Sequence, residues 1–286
     1  MTAPIATGSG LERAFACRAS NVLDRIYAAD TSYSTRGVAV HAYLERLSNG
    51  MTAEESLELV DEEHRAACEG LDLAGLDLAQ LSAEVAYAIH LPSGAARLLG
   101  QGLNRDYSGV GPDEAAGTID LTGVNIPRRF GDTADHKYGW SRRTPPRDNW
   151  QIKGASYAIA TVYDLDEVRG RLLIHREGQP LRVESATFDA ADLLVMRGEL
   201  ADLHERVLAD RAAHAAGQDV PPTEGPWCSY CPSFWSCPAK TAAIRVALEI
   251  ASKKEPITGL DAGDALTKIA AAKKILAAAE TAIYAA

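Results

Sequence analysis

At residue 83 the sequence changes period, and that change limits the fold more than any other feature. Upstream, apolar residues recur at helical spacing. Leu11, Ala14, Phe15, Val22 and Ile26 mark a helix over 10–29, "RGVAVHAYLERLS" a second over 36–48, and 52–70 a third. The outer face of the third is acidic (Glu54, Glu55, Glu58, Asp61, Glu62) and reads as solvated. From 83 the alternation has period two, and strands are expected at 83–91, 96–103, 117–124 and 132–140. Within 117–124, Ile119 and Leu121 are expected on one face, with Thr118, Asp120 and Thr122 on the other. A helix follows at about 149–165 and strands at 168–176 and 181–188. A long helix with Asp189 as its N-cap, a Pro- and Cys-rich loop at 219–238 and two last helices complete the chain. This order predicts an α/β fold with a mixed sheet, not a doubly wound one.

The chain has 286 residues, enough for one large domain or a core with appendages. Three parts are expected to form one compact unit: a helical N-terminal part (1–80), a core sheet (81–188), and C-terminal helices with a Cys motif (189–286). A net charge of −10 argues against indiscriminate polyanion binding, although local fields count for more than the sum. The start, "MTAPIATGSG", lacks a basic n-region and an apolar h-region. No apolar run approaches the roughly 20 residues that span a bilayer, so a cytoplasmic location without membrane partners is expected. Neither G-x-G-x-x-G nor G-x-x-x-x-G-K-[ST] occurs, which leaves no signature of a dinucleotide site or an ATP motor.

Chemistry concentrates in the strands. Asp120 sits mid-strand in "GTIDLTG", Asp135 in "DTADHKYGW", and Lys137 lies two residues on, on the same face as Asp135. If the two strands pair as a hairpin, one register sets both carboxylates side by side. Adjacent carboxylates repel unless a cation lies between them, and hard oxygen ligands suit Mg²⁺ or Mn²⁺. The pattern D-x14-D-x-K is a compact recipe for metal-dependent phosphodiester hydrolysis; the bland alternative is a solvated surface pair worth little. His41 lies along an apolar helical stripe, where a packed core histidine is the common case and a ligand the sharper one. Glu84, at the start of the first strand, can line the same site.

"WCSYCPSFWSCPA" spaces Cys228, Cys231 and Cys237 as C-x2-C-x5-C. A structural zinc or an iron–sulfur cluster wants four thiolates. Cys17 is the expected fourth; Cys68, among Ala66, Ala67 and Leu71, is the other option and reads as a buried small hydrophobe. A ligand that far upstream makes the metal a staple between the chain's two ends, in a folding role.

Taken together, "RGVAVHAYLE", "GTIDL", "DHK", "QIKGASYA" and the four cysteines run in order from residue 17 to 237. In this the chain resembles the PD-(D/E)XK nuclease superfamily, in its RecB-like branch. It is most similar to the iron–sulfur exonucleases of the CRISPR-associated and AddB-type group. The resemblance implies a restriction-endonuclease-like core with a four- or five-stranded mixed sheet flanked by helices. It implies that His41, Asp120 and Asp135 hold Mg²⁺ or Mn²⁺ and that Lys137 is the catalytic lysine. Gln151 and Tyr157 would contact the DNA end or that lysine, and Cys17, Cys228, Cys231 and Cys237 would carry a [4Fe–4S] cluster. The family usually has Q-x3-Y; here Gln151 and Tyr157 are six apart, so either Lys153 takes the glutamine's place or the helix starts after Gln151.

From 126 to 153, seven Lys/Arg (Arg128, Arg129, Lys137, Arg142, Arg143, Arg147, Lys153) stand against three Asp, which makes this segment locally positive. Arg142, Arg143, Arg147 and Lys153 are candidate phosphate contacts, and Trp140 and Trp150 candidate stacking platforms for a single strand. The expected function is a metal-dependent DNA exonuclease in recombination, repair or DNA processing, with a structural iron–sulfur cluster. Its substrate is single-stranded DNA or a resected linear duplex, and any unwinding comes from a helicase or recombination partner. Two rivals are a non-catalytic DNA-end-binding or assembly module of the same fold, and a zinc-stapled scaffold.

Overall fold

The computed structural model describes residues 4–8, 10–25, 32–71, 82–103, 106–138, 144–176, 179, 181–225, 227–228, 231–233, 236–240 and 273. All six expected strands are present: β2 (Ser82–His90), β3 (Ala95–Gln101), β4 (Glu114–Asn125), β5 (Phe130–Tyr138), β6 (Glu167–His175) and β7 (Arg182–Asp189). A two-residue strand, β1 (Ala6–Thr7), pairs parallel with β4 and makes a seven-stranded sheet, wider than the four or five implied. The strand order is β3-β2-β4-β5-β6-β7, with β5 and β6 parallel and the other neighbours on this path antiparallel. The sheet is therefore mixed, and the parallel pair is joined by α5 (Trp150–Tyr163), the crossover that parallel strands need.

Some helices begin where a side chain caps their first amides. Asn149 caps α5 by accepting from the amides of Gln151 and Ile152. Asp189 accepts from the amides of Ala191 and Asp192 and so starts α6 (Ala190–Ala215), as expected. Two helices break where periodicity alone predicted continuity. The segment 10–29 stops at Cys17, whose backbone is extended (φ −131°, ψ 106°) between α1 (Gly10–Ala16) and a 3₁₀ turn over Arg18–Asn21. The segment 52–70 divides into α3 (Ala53–Glu58) and α4 (Glu62–Cys68). Arg46 and Arg65 stabilise that break by donating to the carbonyls of Ser56 and Val60, while Val60 turns into a cluster with Tyr43 and Leu44 from α2 (Ser32–Ser48). The helices expected at the end of the chain lie almost wholly outside the described residues.

The chain divides into two units: Met1–Phe15 with Ser32–Ala209, and Ala16–Thr31 with Asp210–Ala286. In the first, α5 packs on the sheet through Ile152, Ala155 and Ile159, with Leu172, Ile174 and Phe188 from β6 and β7 in the same core. Gly170 has no room for a side chain, since a Cβ there would meet Ile152 at 2.4 Å. In the second, Ser233 and Ser236 donate to the carbonyls of Leu23 and Asp24, and Arg18 pairs with the buried Asp210. That unit is thus built from both ends of the chain. Among the described residues no helix is long and apolar enough to cross a membrane.

Candidate active site

The ladder between β4 and β5 runs from Asn125–Phe130 to Leu121–Ala134 and then stops. One step further the same register brings Asp120 opposite Asp135, the pairing that the 14-residue spacing allowed. No ladder bond forms there. Instead the amide of His136 donates to the Asp120 carboxylate at 2.6 Å. The strands part where the two acids stand, and a side chain takes the place of a carbonyl.

On the other edge of β4 a second irregularity meets the same residue. The β2–β4 ladder passes from Ala83–Leu121 to Val85–Ile119, so Glu84 stands opposite Asp120. Glu84 adopts φ 50°, a left-handed conformation that is rare for a residue inside a strand. Alternation changes phase here. Ala83 and Leu121 pack with Ala134 and Leu173, whereas Tyr87, Ile89 and Ile119 belong to the core around α5. The expectation that Ile119 and Leu121 share a face fails for this reason, since strict period two assumes an unbroken pleat. By register, extended one step past the last β4–β5 pair, Glu84, Asp120 and Asp135 fall in one row across three strands. Strained backbone of this kind concentrates at functional sites.

From α2, His41 brings its Nδ1 to 3.4 Å from Asp120 Oδ2. One donor atom each from His41, Glu84 and Asp120 lie within 4.8 Å of one another, a spacing that suits a divalent cation. The chemistry of the donors fits as well. Burial and the neighbouring Asp135 push the Asp120 carboxyl up to about 6, opposed by His41, Lys137 and the His136 amide. A carboxylate so disfavoured gains by meeting a cation. Glu84 completes this trio, and periodicity gave little notice of its weight, because the positive φ that aims it has no signature in a strand of ordinary composition.

α5 covers the face of β5 that carries Thr133, Asp135 and Lys137. Lys137 Nζ lies 2.5 Å from Asp135 Oδ2 and donates to Gln151 Oε1 at 3.0 Å, while Gln151 Nε2 donates to Asp135 Oδ1. The helix starts at Trp150, one residue before Gln151, so Gln151 reaches the lysine from the first turn. Lys153 instead pairs with Glu199 at 2.7 Å and lies over the Trp150 ring. Tyr157 is buried, and its hydroxyl donates to the carbonyl of Gly94 in the turn between β2 and β3; it does not join Lys137. Gly117, in the "GTIDL" strand, leaves room for Tyr87, whose hydroxyl and ring edge would stand 2.6–2.8 Å from a Cβ there.

Of the residues expected to meet DNA, Trp150 is 7% exposed and stacks on Phe15 with ring centroids 3.8 Å apart. Arg147 is engaged with Asp192 and the carbonyl of Thr187. Trp140, Arg142 and Arg143 lie outside the described residues. In the second unit, the Thr223 amide donates to Cys17 Sγ at 3.4 Å, and among the described residues Cys17, Cys228, Cys231 and Cys237 form no disulfide. Cys68 belongs to the first unit, wholly buried, and burial pushes its thiol up to about 11, the state of an inert core cysteine.

The family model of the PD-(D/E)XK nuclease superfamily matches residues 9–238. The chain belongs to this superfamily. A crystal structure of SSO0001 aligns at 14% identity and a TM-score of 0.31, over 56% of this chain and 60% of its own. The chain thus spans about 60% of that protein's length. A comparison with curated proteins finds no match.

Proposed function

We propose that the protein is a divalent-metal-dependent DNA exonuclease of the RecB-like branch, with an iron–sulfur cluster held by Cys17, Cys228, Cys231 and Cys237. The observation that carries the reading is the row Glu84–Asp120–Asp135, met by His41 on one side and by Lys137 and Gln151 on the other. His41, Glu84, Asp120 and Asp135 hold Mg²⁺ or Mn²⁺. When bound, that cation supplies Lewis acidity toward a phosphoryl oxygen and makes water more acidic. Lys137, with its head group fixed by Gln151 and Asp135, positions the attacking water and offsets charge developing on the phosphoryl group. The His136 amide keeps Asp120 in place, so no reorganisation of the carboxylate is needed at the moment of reaction.

The second unit supplies four thiols, the number that a [4Fe–4S] cluster takes, and that count supports the reading. Cys17 is tied through its sulfur to Thr223, five residues before Cys228, and Ser233 and Ser236 fasten the same loop to Leu23 and Asp24. Four thiols kept for a cluster belong in a reducing compartment, and we place the protein in the cytoplasm. The DNA-processing role in recombination or repair, and a helicase or recombination partner that supplies unwinding, belong to the same reading.

The test uses protein purified without oxygen and incubated with linear and covalently closed circular DNA, each with Mg²⁺, Mn²⁺ or EDTA. The reading expects a brown protein that degrades the linear DNA with either metal and leaves the circle intact. Cleavage of the circle would overturn the exonuclease assignment. Binding without cleavage would mark a DNA-end-binding module instead.

A further inference from the structure

Behind the site lies a pair of histidines that hydrolysis does not use. His136 is the middle residue of "DHK", and alternation turns its ring to the face of β5 opposite Asp135 and Lys137. There its Nδ1 shares a hydrogen bond of 2.8 Å with Nε2 of His175, at the end of β6. Both residues are buried, at 3% and 1% exposure. Among the described residues, the outer nitrogens, His136 Nε2 and His175 Nδ1, have no hydrogen-bond partner. Each ring is therefore fixed through its one bond to the other. Burial and neighbouring histidines hold both below the ordinary histidine range, so the pair is neutral and shares one proton between the facing nitrogens.

His136 touches the metal site twice. Its amide donates to Asp120, and its ring stands edge-on to His41, with centroids 6.0 Å apart and planes at 90°. Beyond Ala134, β5 has lost its ladder to β4 and is held along the β6 edge alone. The roll of this stretch about its own axis decides where the 136 amide points and where Asp135 and Lys137 stand. Gln151 restrains that roll from the α5 face, and the His136–His175 bond restrains it from the other.

We infer that His175 is a positioning residue of the metal centre, acting through the His136 ring to hold the β5 backbone that supports Asp120. The inference rests on the reading of Asp120 as a ligand of the divalent cation.

The test measures Mn²⁺ affinity by electron paramagnetic resonance on the full chain and four variants: His175→Phe, His175→Gln, His136→Phe and the double His136→Phe/His175→Phe. All are studied below the unfolding midpoint that circular dichroism records for each. Phenylalanine keeps the ring volume without the nitrogen, and glutamine returns a polar group near the position of Nε2. His175→Phe is expected to weaken Mn²⁺ binding about tenfold. His175→Gln should recover most of the loss, and the double variant should bind no worse than His136→Phe alone. Unchanged affinity in His175→Phe, or losses that add in the double variant, would overturn the inference. A wild-type chain that binds no Mn²⁺ would instead overturn the metal reading beneath it.

Discussion

Asp120 and Asp135 stand one step beyond the last ladder pair of β4 and β5, Leu121 with Ala134. The sheet thus opens where its two central acids face each other. Closing it would press two buried carboxylates together; opening it frees the His136 amide to hold Asp120 and leaves room for a cation. The departure from regular pairing is what makes the arrangement usable, and several outcomes depend on it.

Without metal, the charge on Asp120 should destabilise the fold. Its carboxyl titrates at about 6 in the folded chain, above the ordinary 3.8. The native state holds that proton more tightly, so this group's contribution falls as pH rises from about 4 to about 6 and stays low above. Asp120→Asn, an isostere that can still accept from the His136 amide, should raise Tm by about 5 °C at neutral pH in EDTA. The gain should vanish near pH 4. Thermal unfolding of the two proteins across this range checks it, and equal midpoints at neutral pH would contradict it.

The buried histidines titrate with the opposite sign. His175 is pushed down to about 4 by burial, below the ordinary 6.5. Its contribution is complete above pH 6.5 and is lost as pH falls toward 4, because the unfolded chain takes the proton first. The wild-type Tm should therefore fall over that window more steeply than that of His175→Phe. Parallel curves would show that the pair is not held neutral.

Gln151 and Lys153 should separate in activity. Gln151 touches both Lys137 and Asp135, whereas Lys153 is spent on Glu199. Gln151→Ala is expected to lower single-turnover cleavage about tenfold or more, and Lys153→Ala to leave it near wild type. The reverse order would move the glutamine's role to Lys153.

Gly117→Ala tests the packing beneath the site. The added methyl would meet the Tyr87 hydroxyl and ring edge at 2.6–2.8 Å, inside contact distance of a buried side chain. A loss of about 1–3 kcal/mol is expected from urea unfolding. A neutral substitution would mean that Tyr87 yields easily and does not brace β4.

Much of this centre was legible in the sequence, for physical reasons. A strand's period of two puts Asp135 and Lys137 on one face whatever the tertiary context, and a hairpin with 14 intervening residues can set Asp120 opposite. His41 was a candidate from its place on the helix; the resemblance gave it the role of a ligand and supplied Gln151. Three features were hidden. The left-handed φ of Glu84 leaves no trace in residue type, so neither the row of three acids nor the change of phase at Ile119 and Leu121 was visible. The stacking of Trp150 on Phe15, 135 positions upstream, takes the ring that local sequence offered to a base. The resemblance implied that Tyr157 meets the DNA end or Lys137; its hydroxyl goes to the Gly94 carbonyl, a partner that helical spacing does not reveal.

The most direct test of the central claim is single-turnover cleavage of an end-labelled oligonucleotide as Mn²⁺ is titrated, comparing wild type with Lys137→Ala and Asp120→Asn, with DNA binding measured alongside. The account predicts saturable metal-dependent cleavage by the wild type and a fall of about 100-fold or more in both variants, with binding retained. Cleavage that persists in both variants, or that needs no divalent cation, would contradict it.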